Sequence, residues 1–173
     1  MTSTRSARLL LTCGTGLLAV FACHHVQAAP SWDGVQDRDL SGWEVHLSPY
    51  TYHLSQDPKH TDVYLAGLAK VNERGWLAGG AVFQNSFGQP CVYFFGGRKY
   101  VEPWGWDRIY WSWTAGILYG YKPPYENKVP FNSNGFSPAI IPTLGYQFTP
   151  TVSGEIAMLG TAGIMFNIAF QFK

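Results

Sequence analysis

The sequence is poor in charge, in cysteine and in long apolar runs. Charged residues are 13% of its 173 positions, against about 25% in an ordinary soluble domain. That argues against a soluble β-sandwich, whose outer faces carry Lys and Glu. The cysteines are Cys13, Cys23 and Cys91. If the first 28 residues are an export signal, Cys91 alone remains, which excludes an internal disulfide and a cysteine-built zinc cluster. Past residue 28, no apolar run approaches the roughly 20 residues of a membrane helix. There is no His-Glu-x-x-His spacing and no glycine-rich phosphate loop ahead of a helix, so neither metal nor cofactor is expected. Basic and acidic residues nearly balance, at 12 and 11. That is no footprint for nucleic acid.

What is present points to a membrane by another route. Aromatic residues are 16% of the chain, with 19 glycines and 11 prolines. Arg5 and Arg8 precede an apolar stretch from Leu9 to Ala22, and Val26-Gln27-Ala28 is a small-residue cleavage site. This is the layout of a secretory signal. A lipoprotein site at Cys23 is the alternative, and Phe21 fits it poorly. The chain therefore divides into a signal peptide at 1–28, a short periplasmic lead-in at 29–42 and a barrel at 43–173. An exported chain with few charges, many aromatics and no spanning helix reads as a transmembrane β-barrel of the bacterial outer membrane.

Alternation sets the strands. Trp43, Val45 and Leu47 alternate with Glu44, His46 and Ser48 in a first strand to His53, with Pro49 inside it. Further strands are expected at about 62–71, 75–84, 91–100, 108–121, 136–148, 151–159 and 164–172. The second and third form a hairpin around Asn72-Glu73-Arg74-Gly75. In the fifth, Ile109, Trp111, Trp113, Ala115, Ile117, Tyr119 and Tyr121 are expected to face lipid. In the last, Ile164, Phe166, Ile168, Phe170 and Phe172 share one face, with Asn167 and Gln171 on the other. The fold class is thus all-β, an eight-stranded antiparallel transmembrane β-barrel. The even count suits closure, which leaves no open edge in lipid. Eight strands enclose a narrow interior that side chains or one slim ligand can fill, not an open pore.

Strand counting places His53 and Ser86 on the same exterior rim. An imidazole within reach of a hydroxyl is the core of nucleophilic acyl transfer, because it takes the proton as the oxygen attacks a carbonyl. Asn85 beside Ser86 can donate to an oxyanion or orient the histidine. The plainer reading makes His53 one of several rim aromatics and Asn85-Ser86 an ordinary turn. Gly96-Gly97 inside the fourth strand either empties part of the interior or bends the strand. His46 reads as lumenal packing, and His60 as a solvated loop residue. Arg98, Lys99 and Arg108 read as groups that reach lipid phosphates or snorkel.

These segments resemble the lipid A palmitoyltransferase family, PagP. The resemblance lies in the Trp43–His53 strand with its internal proline, the Gly67–Trp76 hairpin, Phe83-Gln84-Asn85-Ser86-Phe87, Thr114-Ala115-Gly116 and the Phe170-Gln171-Phe172 ending. It implies an eight-stranded outer-membrane barrel with a hydrocarbon cavity in its outer half. The implied activity moves a palmitoyl chain from phospholipid to lipid A. His53 would be the general base and Ser86 the nucleophile. Asn85 stands where the family has Asp, and so carries no charge to stabilise an imidazolium. Gly97 or Gly96 would match the glycine at the cavity floor. Pro49, Pro138 and Pro142 parallel the prolines that interrupt the family's ladders and admit lipid sideways. The family's N-terminal amphipathic helix has no clear counterpart. The implied partners are phospholipid and lipid A around a membrane-embedded monomer. Two other functions fit the residues: a non-enzymatic barrel that binds an amphiphile or supports the envelope, and a lipid A deacylase or phospholipase with water as acceptor.

Overall fold

Period-two alternation along nearly every segment after residue 41 leaves the chain two faces to bury, and it buries one by closing on itself. In a computed structural model, which describes residues 40–54 and 60–173, eight strands form a closed barrel in chain order. They are β1 (Gly42–His53), β2 (Leu65–Val71), β3 (Trp76–Gln84), β4 (Pro90–Val101), β5 (Ile109–Tyr119), β6 (Phe136–Thr149), β7 (Val152–Met158) and β8 (Gly163–Phe172). Every neighbouring pair is antiparallel, and β1 closes on β8 through Trp43↔Phe172 to His53↔Gly163. The proposed signal peptide and all but the end of the proposed lead-in lie outside the described residues.

The outer wall is apolar, as a lipid-facing surface must be. Leu68, Val82, Phe94, Ile117, Ile140, Leu144, Ile156, Phe166 and Ile168 are exposed on it. Trp43, Trp76, Trp104, Trp106 and Trp111 are exposed towards the end where β1 begins and β8 ends, the termini of the barrel. They make the aromatic belt of one membrane interface. The inner wall differs along its length, and that difference positions the site.

Three expectations change. Tyr121 lines the interior instead of facing lipid. β5 ends at Tyr119, and Gly120 then takes φ +144°. That backbone is open to glycine and resets the alternation. Lys99 is buried inside the barrel, 5% exposed, because it shares the odd-numbered inner face with Tyr93 and Phe95. Arg98 alone of that pair stays on the outer face, over the rings of Trp76 and Tyr100. β2 also starts three residues later than its pattern predicts, at Leu65.

Candidate functional site

The interior holds a cavity of about 330 Å³, near the lower bound of small-molecule sites. Its wall towards the termini is charged and self-paired. Lys99 Nζ donates to Glu44 Oε1. His46 lies between two carboxylates, with Nδ1 2.9 Å from Glu155 Oε2 and Nε2 3.5 Å from Glu44 Oε2. Tyr110 donates its hydroxyl to Glu155 Oε1 at 2.9 Å, and the Lys99 ammonium sits 4.4 Å from the Tyr110 ring centre. Pairing of this kind is what permits charge in so dry a place.

Towards the other end the wall is hydrocarbon. Leu65, Phe83, Phe95, Ile141, Leu159 and Met165 line the cavity there, and Val63, Ala157 and Met165 form a buried cluster beside it. The mouth lies against Lys128–Pro130 and Gly160–Ala162, in connections at the end away from the termini. The interior is thus a slot, greasy above and closed below by paired charge.

The wall of the slot is incomplete in two places. The β6–β7 ladder runs from Thr149↔Val152 to Thr143↔Ala157, so Phe136–Pro142 has no β7 partner. Parity explains the gap. Odd residues of this strand face β5: Gln147 donates its N–H to Arg108 C=O, and Gly135 C=O accepts from Gly120 N–H. Even residues therefore aim at β7, and Pro138 and Pro142 have no N–H to give there. The second gap follows Ser48↔Leu65, the last β1–β2 pair. Pro49 comes next, at the point where the β1–β8 register slips between Leu47 and Tyr50. Both gaps lie in the half of the barrel that holds the apolar slot.

At the same end of the barrel, with neither His53, His60, Asn85 nor Ser86 among the residues lining the cavity, the β3–β4 connection is built by Asn85. Its Oδ1 accepts from the N–H of Phe87 (3.0 Å) and of Gln89 (2.9 Å), and its Nδ2 donates to Gln89 Oε1 (3.2 Å). Asn85 is 1% exposed and Ser86 8%. The Asn85 side chain is thus engaged in its own turn. The carbonyl of Ser86 accepts from the backbone N–H (2.8 Å) and the hydroxyl (3.3 Å) of Thr61. The His53 ring lies 4.5 Å from that of His60, and the His60 ring meets the edge of Phe87 at 5.3 Å. Phe87 stacks on Tyr125 at 4.2 Å, with Lys128 over its face.

His53, Asn85 and Ser86 therefore stand at one rim. The sequence reading missed His60, which is half-buried between two rings instead of solvated. Two histidines in one strand-end-and-loop segment were the available signal. Gly96 and Gly97 are not among the residues lining the cavity. Gly96 faces outward, and a Cβ on it would have Leu77 C=O at 3.7 Å as its nearest contact. A Cβ on Gly97 would fall 2.0 Å from the carbonyl oxygen of Trp113. Gly97 thus permits a close approach of β4 to β5.

Fold and interior together define a small transmembrane-type β-barrel. No protein-family model and no curated protein matches the chain. Among solved structures it is similar to one described as "De novo design of transmembrane beta-barrels", with a TM-score of 0.55 and 13% identity over 76% of this chain and 96% of that one.

Proposed function

We propose that this barrel lies in the bacterial outer membrane, exported by residues 1–28, and transfers an acyl chain from phospholipid to lipid A. The observation that carries the reading is the apolar slot beside two unpaired strand stretches. A lipid tail in the surrounding leaflet has a sideways path into hydrocarbon, and its ester is left at the rim beside Ser86. Ser86 Oγ attacks the ester carbonyl while a rim histidine, His53 by the resemblance, takes the hydroxyl proton. The acyl C–O bond breaks, and the departing lysophospholipid oxygen takes the proton from the imidazolium. A lipid A hydroxyl then attacks the acyl-serine, gives its proton to the imidazole and releases Ser86, which recovers the proton. No metal or cofactor enters this sequence.

The test is lipid A mass spectrometry on cells carrying this chain, its Ser86→Ala form or neither, at matched levels of folded barrel. A gain of one acyl chain that Ser86→Ala removes supports the transferase. A loss of one chain makes water the acceptor and the protein a deacylase. No change with folded barrel present overturns lipid A chemistry. A second reading, a barrel that binds an amphiphile without reacting, draws on one observation. The Asn85 side chain, at the position of the family's aspartate, is engaged in its own turn.

A further inference from the structure

We infer that His60, and not His53, is the imidazole that serves Ser86; the inference rests on the acyl-transfer reading above and reassigns its base. Two short stretches are laid against each other at the rim. Thr61 binds the Ser86 carbonyl with both its N–H (2.8 Å) and its hydroxyl (3.3 Å). One residue along on each side, the ring of His60 meets the ring of Phe87 at 5.3 Å. Backbone pairing at 61–86 and ring packing at 60–87 lay the His60–Thr61 stretch against the Ser86–Phe87 turn. His53 stands one ring further back, and its contact is with His60 at 4.5 Å. The order along the rim is His53, His60, Phe87.

This arrangement divides the labour. A base has to reach the hydroxyl proton directly or through one water. His60 is the histidine whose chain neighbour is bonded to the serine. His53 packs against it and holds its ring, which makes His53 a positioning residue. Among the described residues, the charged and titratable groups around His60 are His53, Lys128 over the far ring of Phe87, and Asp62 two residues along the same segment. In the step itself, His60 takes the Ser86 hydroxyl proton as Oγ bonds to the ester carbon. It returns that proton to the lysophospholipid oxygen as the acyl C–O bond breaks.

The test is acyl transfer between phospholipid and lipid A by the full-length barrel in mixed vesicles, read by mass spectrometry. Folding is checked by heat-modifiable mobility. His60→Phe keeps a ring between His53 and Phe87 but has no base, and its rate should fall by about 10²–10⁴, the usual share of a general base. His60→Gly with added imidazole keeps the question open to an answer if the Phe form misfolds, and imidazole should restore its rate. His53→Phe should lose about tenfold or less. A His60→Phe rate within threefold of wild type, or a His60→Gly loss that imidazole does not restore, overturns the inference. Wild-type barrel that is folded but transfers nothing overturns the function itself, and shows this before any variant is made.

Discussion

The two halves of the barrel interior come from the same alternating pattern and do opposite things. Near the termini, Glu44, Lys99, His46, Glu155 and Tyr110 pair with one another. Away from them, Leu65, Phe83, Ile141 and Met165 line the apolar part of the cavity. The ladders follow the same division. The β1–β2 and β6–β7 pairings run through the charged half, the second with a register shift between Gln147 and Thr149, and stop in the apolar half. A barrel this small is closed and braced at one end so that it can be hollow and gapped at the other. The comparison can be broken by removing the brace or by filling the hollow.

Removing the brace has the largest expected effect. Lys99→Met leaves Glu44 buried without its cation. Breaking one side of a buried pair costs about 3–5 kcal/mol. Urea unfolding of the barrel in lipid vesicles should show that loss. The double variant Glu44→Leu with Lys99→Met should recover much of it, because two apolar groups leave no charge stranded. A double variant no better than Lys99→Met would mean that the cluster works as a unit through His46 and Glu155.

The bracing cluster was half legible in the sequence. Glu44, His46 and Glu155 fall on inner positions of clean alternating strands, so their place in the lumen follows from parity. Lys99 was assigned to the rim because it follows Arg98, and a pair of basic residues near a strand end reads as snorkelling. Parity should have separated them. All eight strands were legible for the same reason. Period two survives Pro138 and Pro142 in β6, where each proline removes a hydrogen bond and keeps the side chain's direction; at Pro49 it slips, and the inner face passes from Ser48 to Thr51. The site was less legible. His60 lies outside any strand, where no period fixes direction, and its contacts come from a loop held by Thr61. The occupation of Asn85 by its own turn depends on backbone N–H groups two and four residues on, which residue identities do not display.

A second way to disturb the braced half is Gly97→Ala. The new Cβ would meet the Trp113 carbonyl oxygen at 2.0 Å, so β4 must move away from β5. A loss of about 1–3 kcal/mol is expected from such crowding, read by the same unfolding assay. If Gly97 instead sets the depth of the slot, the alanine should change acyl-chain preference and leave stability alone. The hollow half should answer differently to added bulk. Ala157 lines the slot beside Val63 and Met165, and Ala157→Leu adds bulk to the slot wall. Stability should change by about 1 kcal/mol or less, while uptake of a fluorescent acyl chain drops at least tenfold. A stability loss as large as that of Gly97→Ala would mean that the space is not a working cavity.

The smallest expected effect gives the sharpest comparison, because it lies one residue away from the largest. Arg98 and Lys99 carry the same charge on adjacent positions of β4 and face opposite ways. The Arg98 guanidinium stands 5.3 Å from the Trp76 ring centre and 5.0 Å from that of Tyr100, on the outer wall near the aromatic belt. Such contacts at an accessible surface are worth about 0.5–1 kcal/mol. Arg98→Ala should therefore lower unfolding stability by that amount, several times less than Lys99→Met. Arg98→Lys should recover only part of it, since an ammonium lacks the planar group that stacks on rings. The two losses should also diverge with salt. Screening reaches a half-buried charge on the outer face more than a fully buried pair, so raising ionic strength should shrink the Arg98→Ala effect more than that of Lys99→Met. Equal losses at 98 and 99 would mean that net positive charge on β4, and not the face it occupies, is what the barrel uses.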